Sequence, residues 1–262
     1  APSTKVIHKE GILYLLVNSF NRETVHEITT QIQKAKEQEE NTINGLIIDL
    51  RSNPGGILSQ AIGVTDLFLK TGRIVSTHGR HPSSRRHYTA RSTDILSGQP
   101  IVILINGRSA SAAEIVAAAL QDNKRAIIVG TTSFGKGSIQ FVGRLPNDGE
   151  LILTWSKFVA PSGYILHGLG VPPNVCSRKS EVDSKFFASE ILDQTTNFLR
   201  IKKAWRKVSQ NNKKKKENLR SKCPASNKRD PHDLKLARKL ISDNILYNVV
   251  SGNSLPVAAI RE

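Results

Sequence analysis

The chain has 262 residues, 38% of them apolar, and a formal net charge of +16. That length buries one substantial core with room for a smaller appendage, while no apolar run reaches the about 20 residues of a membrane-crossing helix and the N-terminus shows no signal-peptide pattern. Two cysteines, Cys176 and Cys223, are too few and too far apart for a disulfide framework or a metal site, which leaves the redox compartment open. A chain that starts at Ala1 and contains no methionine points to a piece of a longer product.

In chain order, Gly11 to Phe20 reads as a strand, and Arg22 to Glu39 carries Val25, Ile28 and Ile32 at helical spacing. The short apolar run Gly45 to Leu50 predicts a buried parallel strand ending in the turn RSNPGG. A helix over Ile57 to Lys70 and a strand from Arg73 to Gly79 come next, then a basic polar loop. Pro100 to Asn106 reads as a strand, the alanine-rich stretch from Ser111 to Asp122 as a helix, and Arg125 to Gly130 as another strand. Alternation of strands and helices predicts an α/β layered core with a largely parallel sheet. From Ile139 the pattern changes to a hairpin: IQFVGRL, a turn at Asn147-Asp148-Gly149, then ELILTWSKFVA. Residues from about Ser180 onward read as polar helix, with a break near Cys223-Pro224 and a last helix near Asp233 to Val249.

Charge is unevenly spread. Residues 178 to 262 hold 20 Lys and Arg against 9 Asp and Glu, whereas the first 177 hold 18 against 13. This shift divides the chain into a core over residues 1–177 and a basic, mostly helical C-terminal region over 178–262. Its centre, Lys202 to Lys216, has eight cations and no acid. A polyanion-binding patch for membrane or nucleic acid is one reading. The plainer one is a solvated helix face running into a disordered lysine run, favoured because no aromatic interleaving or nucleic-acid motif accompanies it.

Sites in such a core gather where strands end and helices begin. Three loops meet that description: Arg51 to Gly56, Gly107 to Ser111, and Thr131 to Ser138. The third, TTSFGKGS, fails as a phosphate cradle. Gly130 stands five residues before Gly135, but Gly137 follows Lys136 where Ser or Thr is needed, and the next element is a strand. The remaining option pairs Lys136 with a serine, since a neutral lysine can activate a hydroxyl nucleophile. Histidine is the usual alternative base, yet the seven histidines fall in polar or basic stretches or outside the strand-end loops, and His167 has no neighbouring acid in sequence to orient it. Asp122 lies eleven residues, about 16 Å along a helix, from Ser111 and cannot complete a triad. Taken alone, Ser111-Ala112-Ala113-Glu114 is a capping box, so a helix-capping role for Ser111 competes with a catalytic one, and Ser109 is an equal candidate nucleophile.

Four blocks carry a resemblance to a known family: GLIIDLRSNPGG (Gly45 to Gly56), INGRSASAAEIVAAALQDN (Ile105 to Asn123), AIIVGTTSFGKGSIQ (Ala126 to Gln140) and LPNDGELILTWSKFVAPSGYILHGLGVPPNV (Leu145 to Val175). In order and spacing the chain resembles the carboxy-terminal processing peptidases, or tail-specific proteases, over about Gly11 to Val175. The resemblance implies a layered peptidase core of the kind shared with crotonase-like and Clp-protease-like folds. It further implies a serine endopeptidase acting near protein C-termini, with Ser111 as nucleophile, Lys136 as general base, Gln140 orienting the lysine, and an oxyanion hole made by the backbone N–H groups of Gly56 and Ala112. If the segment is extended, Lys136 and Gln140 lie on one face. No metal or cofactor is implied. The partners expected are protein or peptide substrates, with self-association through the helical C-terminal region, and the family analogy places the protein in the periplasm or at a membrane surface outside the cytoplasm. Relatives usually carry a PDZ domain ahead of the core, and none fits before Gly11. This leaves a second reading, a catalytically impaired peptidase-like binding protein whose polybasic tail contacts membrane or nucleic acid.

Overall fold

Two sheets organise the computed structural model, which describes residues 3–37, 42–179 and 185–253. The first holds six strands. β1 (Thr4–Lys9) runs antiparallel to β2 (Ile12–Val17), which pairs in parallel with β3 (Gly45–Asp49). Between β2 and β3 the chain forms α1 (Thr24–Glu37), and residues 38 and 39 of the expected helix lie outside the described residues. Helix α2 (Leu58–Asp66) follows β3, and the chain then leaves for the second sheet with β4 (Arg73–His78) and β5 (Arg86–Thr89). It returns as β6 (Ile101–Ile105), α3 (Ala112–Asp122) and β7 (Ile127–Gly130), giving the order β1-β2-β3-β6-β7. A hairpin of β8 (Ser138–Arg144) and β9 (Glu150–Val159) completes the second sheet, ordered β5-β4-β9-β8, and β10 (Val175–Cys176) closes the first beside β7.

The continuous apolar runs of β3 and β6 are explained by burial of both faces. Leu46 and Ile48 on β3, with Ile101, Ile103 and Ile105 on β6, pack with Ile28 and Ile32 of α1 and with α3. The alternate residues Ile47, Val102 and Leu104 pack on the other side against α4 (Phe187–Lys207), α6 (Pro231–Ser242) and α7 (Asn244–Ser251). The change of composition near residue 178 is therefore not a change of packing: helices from the basic region cover this face of the sheet at β3, β6, β7 and β10. The expected layered α/β core is present.

Two features of the basic region depart from expectation. The lysine run is ordered as α5 (Lys213–Arg220), and two of its supposed solvent cations are buried. Lys202 is 6% exposed and pairs with Asp122 at 2.8 Å; Lys216, 8% exposed, donates to the His167 carbonyl at 3.2 Å. A sequence reading sees eight like charges but not the acid and carbonyls that meet them from the core. The second departure is the cysteines. Cys176 and Cys223, 47 residues apart, form a disulfide, so the argument from number and spacing is overturned: the fold brings the end of β10 to the loop after α5. The anticipated break near Cys223-Pro224 is present, and the last helix is divided at Asp243, whose side chain caps α7 by accepting from the Leu246 amide at 2.9 Å.

Candidate active site

The ends of β3, β6 and β7 point the same way, so the three loops predicted from composition meet at one edge of the sheet. The first is anchored from below. Asn53 donates to the Val17 carbonyl at 2.8 Å and accepts from the Gly55 amide at 2.8 Å. Arg51, 5% exposed, forks onto Asp49 at 2.9 and 2.7 Å and reaches Asp233 of α6 at 3.0 Å. Burial works against the Arg51 charge, but the carboxylates of Asp49 and Asp233 overcome it and hold its pKa above the ordinary arginine value. Tyr14 donates to Asp49 at 2.6 Å, and burial followed by that carboxylate pushes its hydroxyl up to about 12.

The turn needs its glycines for different reasons. Gly55 has φ +105°, and a Cβ there would stand 2.8 Å from Ser111 Cβ and 3.0 Å from the Ala112 nitrogen. Gly56 has φ +142°, and its Cβ would strike the Phe20 carbonyl oxygen at 2.2 Å. Steric exclusion beside the serine thus falls on Gly55, while Gly56 is required by the bridge to Phe20. The amides of Gly56 and Ala112 donate to no acceptor among the described residues, the condition an oxyanion hole has to meet.

Ser111 stands at the start of α3 with φ +54° and ψ −113°. A non-glycine residue in that region stores strain of roughly 1–3 kcal/mol and is held there by its surroundings. Its amide donates to the Glu114 carboxylate at 2.9 Å, the Glu114 half of the predicted capping box. Ser109, the rival by sequence, is fully buried and donates its hydroxyl to the Leu50 carbonyl at 2.7 Å. It braces the loop.

Glu114 is the site residue that sequence reasoning missed. Fully buried, it accepts from the Ser133 hydroxyl at 2.5 Å, the Gly135 amide at 2.6 Å and the Lys136 amide at 2.8 Å as well as from Ser111. Burial pushes its carboxyl above the ordinary range against the pull of these four donors. One side chain thereby ties the start of the serine helix to the lysine loop, a second tie being the Phe134 amide on the Ser109 carbonyl at 3.0 Å. The S-x-x-E spacing was the available signal, but it reports only the local partner.

Lys136 lies in this loop between Gly135 and Gly137, and its side chain is exposed. Gln140 sits on β8, the outer strand of its sheet, and is exposed. It makes no hydrogen bond to Lys136 among the described residues, and the pairing with β9 shifts register between Ile139 and Gln140. The simple alternation that would align the two is interrupted there. Asp122, at the far end of α3, accepts from the Ser162 amide at 2.9 Å and pairs with Lys202, bracing the helix end.

Comparison with known proteins places this geometry in context. The family model of Peptidase family S41 matches residues 11–177. The carboxy-terminal-processing protease of Bartonella bacilliformis is 44% identical over 163 residues, covering 62% of this chain and 38% of that protein. The corresponding Synechocystis protease is 34% identical over 165 residues, covering 63% and 38%. Among solved structures, a photosystem II D1 C-terminal processing protease matches with a TM-score of 0.57 and 31% identity over 63% of this chain and 42% of its own. Mature CPAF complexed with lactacystin, at 16% identity and a TM-score of 0.53 over 78% of this chain and 53% of its own, shares the fold. The chain spans about two fifths of the length of these curated relatives.

Proposed function

Because the chain belongs to peptidase family S41, we propose that it is the core of a serine endopeptidase that cleaves polypeptides near their C-termini through a Ser111/Lys136 dyad. In this reading Ser111 Oγ attacks the scissile carbonyl carbon while the Lys136 amine takes the hydroxyl proton. The carbonyl oxygen becomes an oxyanion, received by the uncommitted amides of Ala112 and Gly56. Each donor of this kind is worth on the order of 3 kcal/mol of barrier. Collapse of the tetrahedral intermediate breaks the C–N bond, and the lysine returns its proton to the leaving amine. Water, deprotonated in turn by Lys136, then hydrolyses the acyl-enzyme. Lys136 is exposed in the free chain, so the reading requires the bound polypeptide to cover it before it acts as base. Gln140 orients the lysine once that polypeptide is in place.

The single observation that carries the reading is the Glu114 carboxylate, which receives the amides of both Ser111 and Lys136 and so holds the two residues in one frame. Burial of Lys202 and Lys216 argues against the alternative of a binding protein with a free polybasic tail. The Cys176–Cys223 disulfide favours a compartment outside the cytoplasm. The test is cleavage of an unstructured protein by wild type, Ser111→Ala and Lys136→Ala. Both variants should fall by at least about 10³-fold; activity equal to wild type in either would sink the dyad.

A further inference from the structure

A pocket of about 450 Å³ opens between α4 and the edge strand β10. One wall is a stripe of α4 whose residues, Gln194, Asn197, Phe198, Ile201 and Trp205, recur at helical spacing. The stripe is polar at its start and apolar beyond. Leu219 of α5 and the Pro172-Pro173 pair ahead of β10 extend the apolar part. Neither Ser111 nor Lys136 lines the pocket.

One donor here is unspent. Gln194 Oε1 accepts from the Cys176 amide at 2.8 Å, which fixes the orientation of the side-chain amide and leaves Nε2 buried with no acceptor among the described residues. A buried donor without an acceptor is uncommon in a folded chain and calls for one from outside. A cation stands at the same end. Lys222 directly precedes Cys223, whose Cα lies 5.9 Å from that of Cys176 across the disulfide, and no Asp or Glu lines the pocket among the described residues. The far end offers only apolar surface: Phe198 and Leu219 are buried, and Trp205 has its N–H committed to the Gly170 carbonyl at 3.2 Å.

A donor and an ammonium at one end, with aromatic and aliphatic surface at the other, match a carboxylate carried on an apolar body. An inorganic anion leaves the apolar end unfilled, and a neutral hydrocarbon leaves the Gln194 donor unmet. The volume falls in the range of small-molecule sites. We propose that this pocket binds a small free organic acid in its ionised form, an aryl or short-chain alkyl carboxylate, with Gln194 Nε2 and Lys222 receiving the carboxylate and Phe198, Ile201 and Trp205 the apolar body. The pocket also touches Thr132, whose hydroxyl donates to the Cys223 carbonyl at 2.6 Å near the start of the loop that carries Lys136. An occupant therefore borders the disulfide and the lysine loop at once.

Trp205 serves as the reporter. Trp155 is the one other tryptophan, so Trp155→Phe leaves a single indole, and phenylacetate is titrated into that protein with its emission as readout. Phenylacetate should bind at least about tenfold more tightly than phenylacetamide or acetate, because one lacks the charge and the other the apolar body. Gln194→Glu keeps the oxygen that accepts from Cys176 and puts an acceptor where the donor was, so it should abolish the preference for acid over amide. Lys222→Ala should weaken phenylacetate about tenfold and leave phenylacetamide unchanged. Arg200→Ala, exposed on the same helix but outside the pocket, should change neither. Melting temperatures establish that each variant is folded. The proposal is overturned if phenylacetate gives no saturable change in emission, if acid and amide bind equally, or if the preference survives both Gln194→Glu and Lys222→Ala. Tighter binding of a peptide ending in a free phenylalanine than of phenylacetate would assign the pocket to polypeptide ends and overturn it as well.

Discussion

Glu114 shows how much a single side chain contributes to the site. Its four donors come from the start of α3 and from the lysine loop, so changing one acceptor oxygen to an amide turns it into a donor facing other donors. Glu114→Gln should cost about 2–3 kcal/mol of stability, read by denaturant unfolding, and lower kcat more than it changes KM. Wild-type kcat in this variant would show that the clamp does not position the dyad. Glu27, which meets the start of β1, offers a contrast. It accepts from Thr4 Oγ1 at 2.7 Å and from Ser3 Oγ at 2.9 Å and Ser3 N at 3.1 Å; burial alone would raise its pKa, but these bonds carry it below the ordinary value. A lowered carboxyl pKa means stability that is present above the unfolded value and lost as the pH falls through the folded one. Glu27→Gln should therefore destabilise by about 1 kcal/mol near neutral pH, with the difference closing in acid. A pH-independent difference would assign the effect to packing.

At the scale of elements, α4 is where the basic region changes meaning. Lys202 pairs with Asp122, donates to Gln121 Oε1 and lies 4.8 Å over the Tyr164 ring and 5.8 Å over Phe198, so the helix that carries it is fastened to the end of α3. Burial pulls the ammonium below its ordinary pKa, and Asp122 opposes that pull. Three residues on, Trp205 donates to the Gly170 carbonyl at 3.2 Å, and Arg220 of α5 donates to the Leu169 carbonyl at 2.5 Å. The helices thus grip the Leu166–Gly170 segment that backs the lysine loop. Removing one partner of a buried pair leaves the other charge stranded, so Lys202→Ala should cost about 3–5 kcal/mol, against about 0.5 kcal/mol or less for the exposed neighbour in Lys203→Ala. Joining Asp122→Asn to Lys202→Met should recover part of the loss. Chemical denaturation of the four proteins decides it, and equal effects of the Lys202 and Lys203 variants would return the run to a solvated face.

Over the whole molecule, the segment from Cys223 to Asp233 acts as a strap across the three strand-end loops of the candidate site. Its Cys223 carbonyl accepts from Thr132 Oγ1 at 2.6 Å and its Ser226 carbonyl from the Gly107 amide at 2.7 Å, while Arg229 donates to the Arg51 carbonyl at 2.7 Å. The disulfide pins the start of this strap to β10. Closing a loop of 47 residues stabilises by about 4 kcal/mol through the entropy of the unfolded chain. Replacing both cysteines by serine should lower the melting temperature by roughly 8–16 °C for a chain of this size. A shift of a degree or less would mean that the strap holds without its covalent tie.

Sequence by itself determined the elements whose signal is local. Short apolar runs such as Leu46 to Ile48 and Ile101 to Ile105 read as strands buried on both faces, and RSNPGG and FGKG as loops at strand ends, so the layered core was legible before any coordinates, and the family resemblance picked out Ser111 and Lys136. β1 and β5 were not, because a half-buried edge strand carries too few apolar residues to stand out. What the tertiary structure alone decided is pairing over long separations: Glu114 with the lysine loop, Lys202 with Asp122 and Cys176 with Cys223. A charge, a hydroxyl or a thiol states in sequence what it can do. Which group meets it, and whether water is left between them, is settled only when the sheet brings distant segments to one edge.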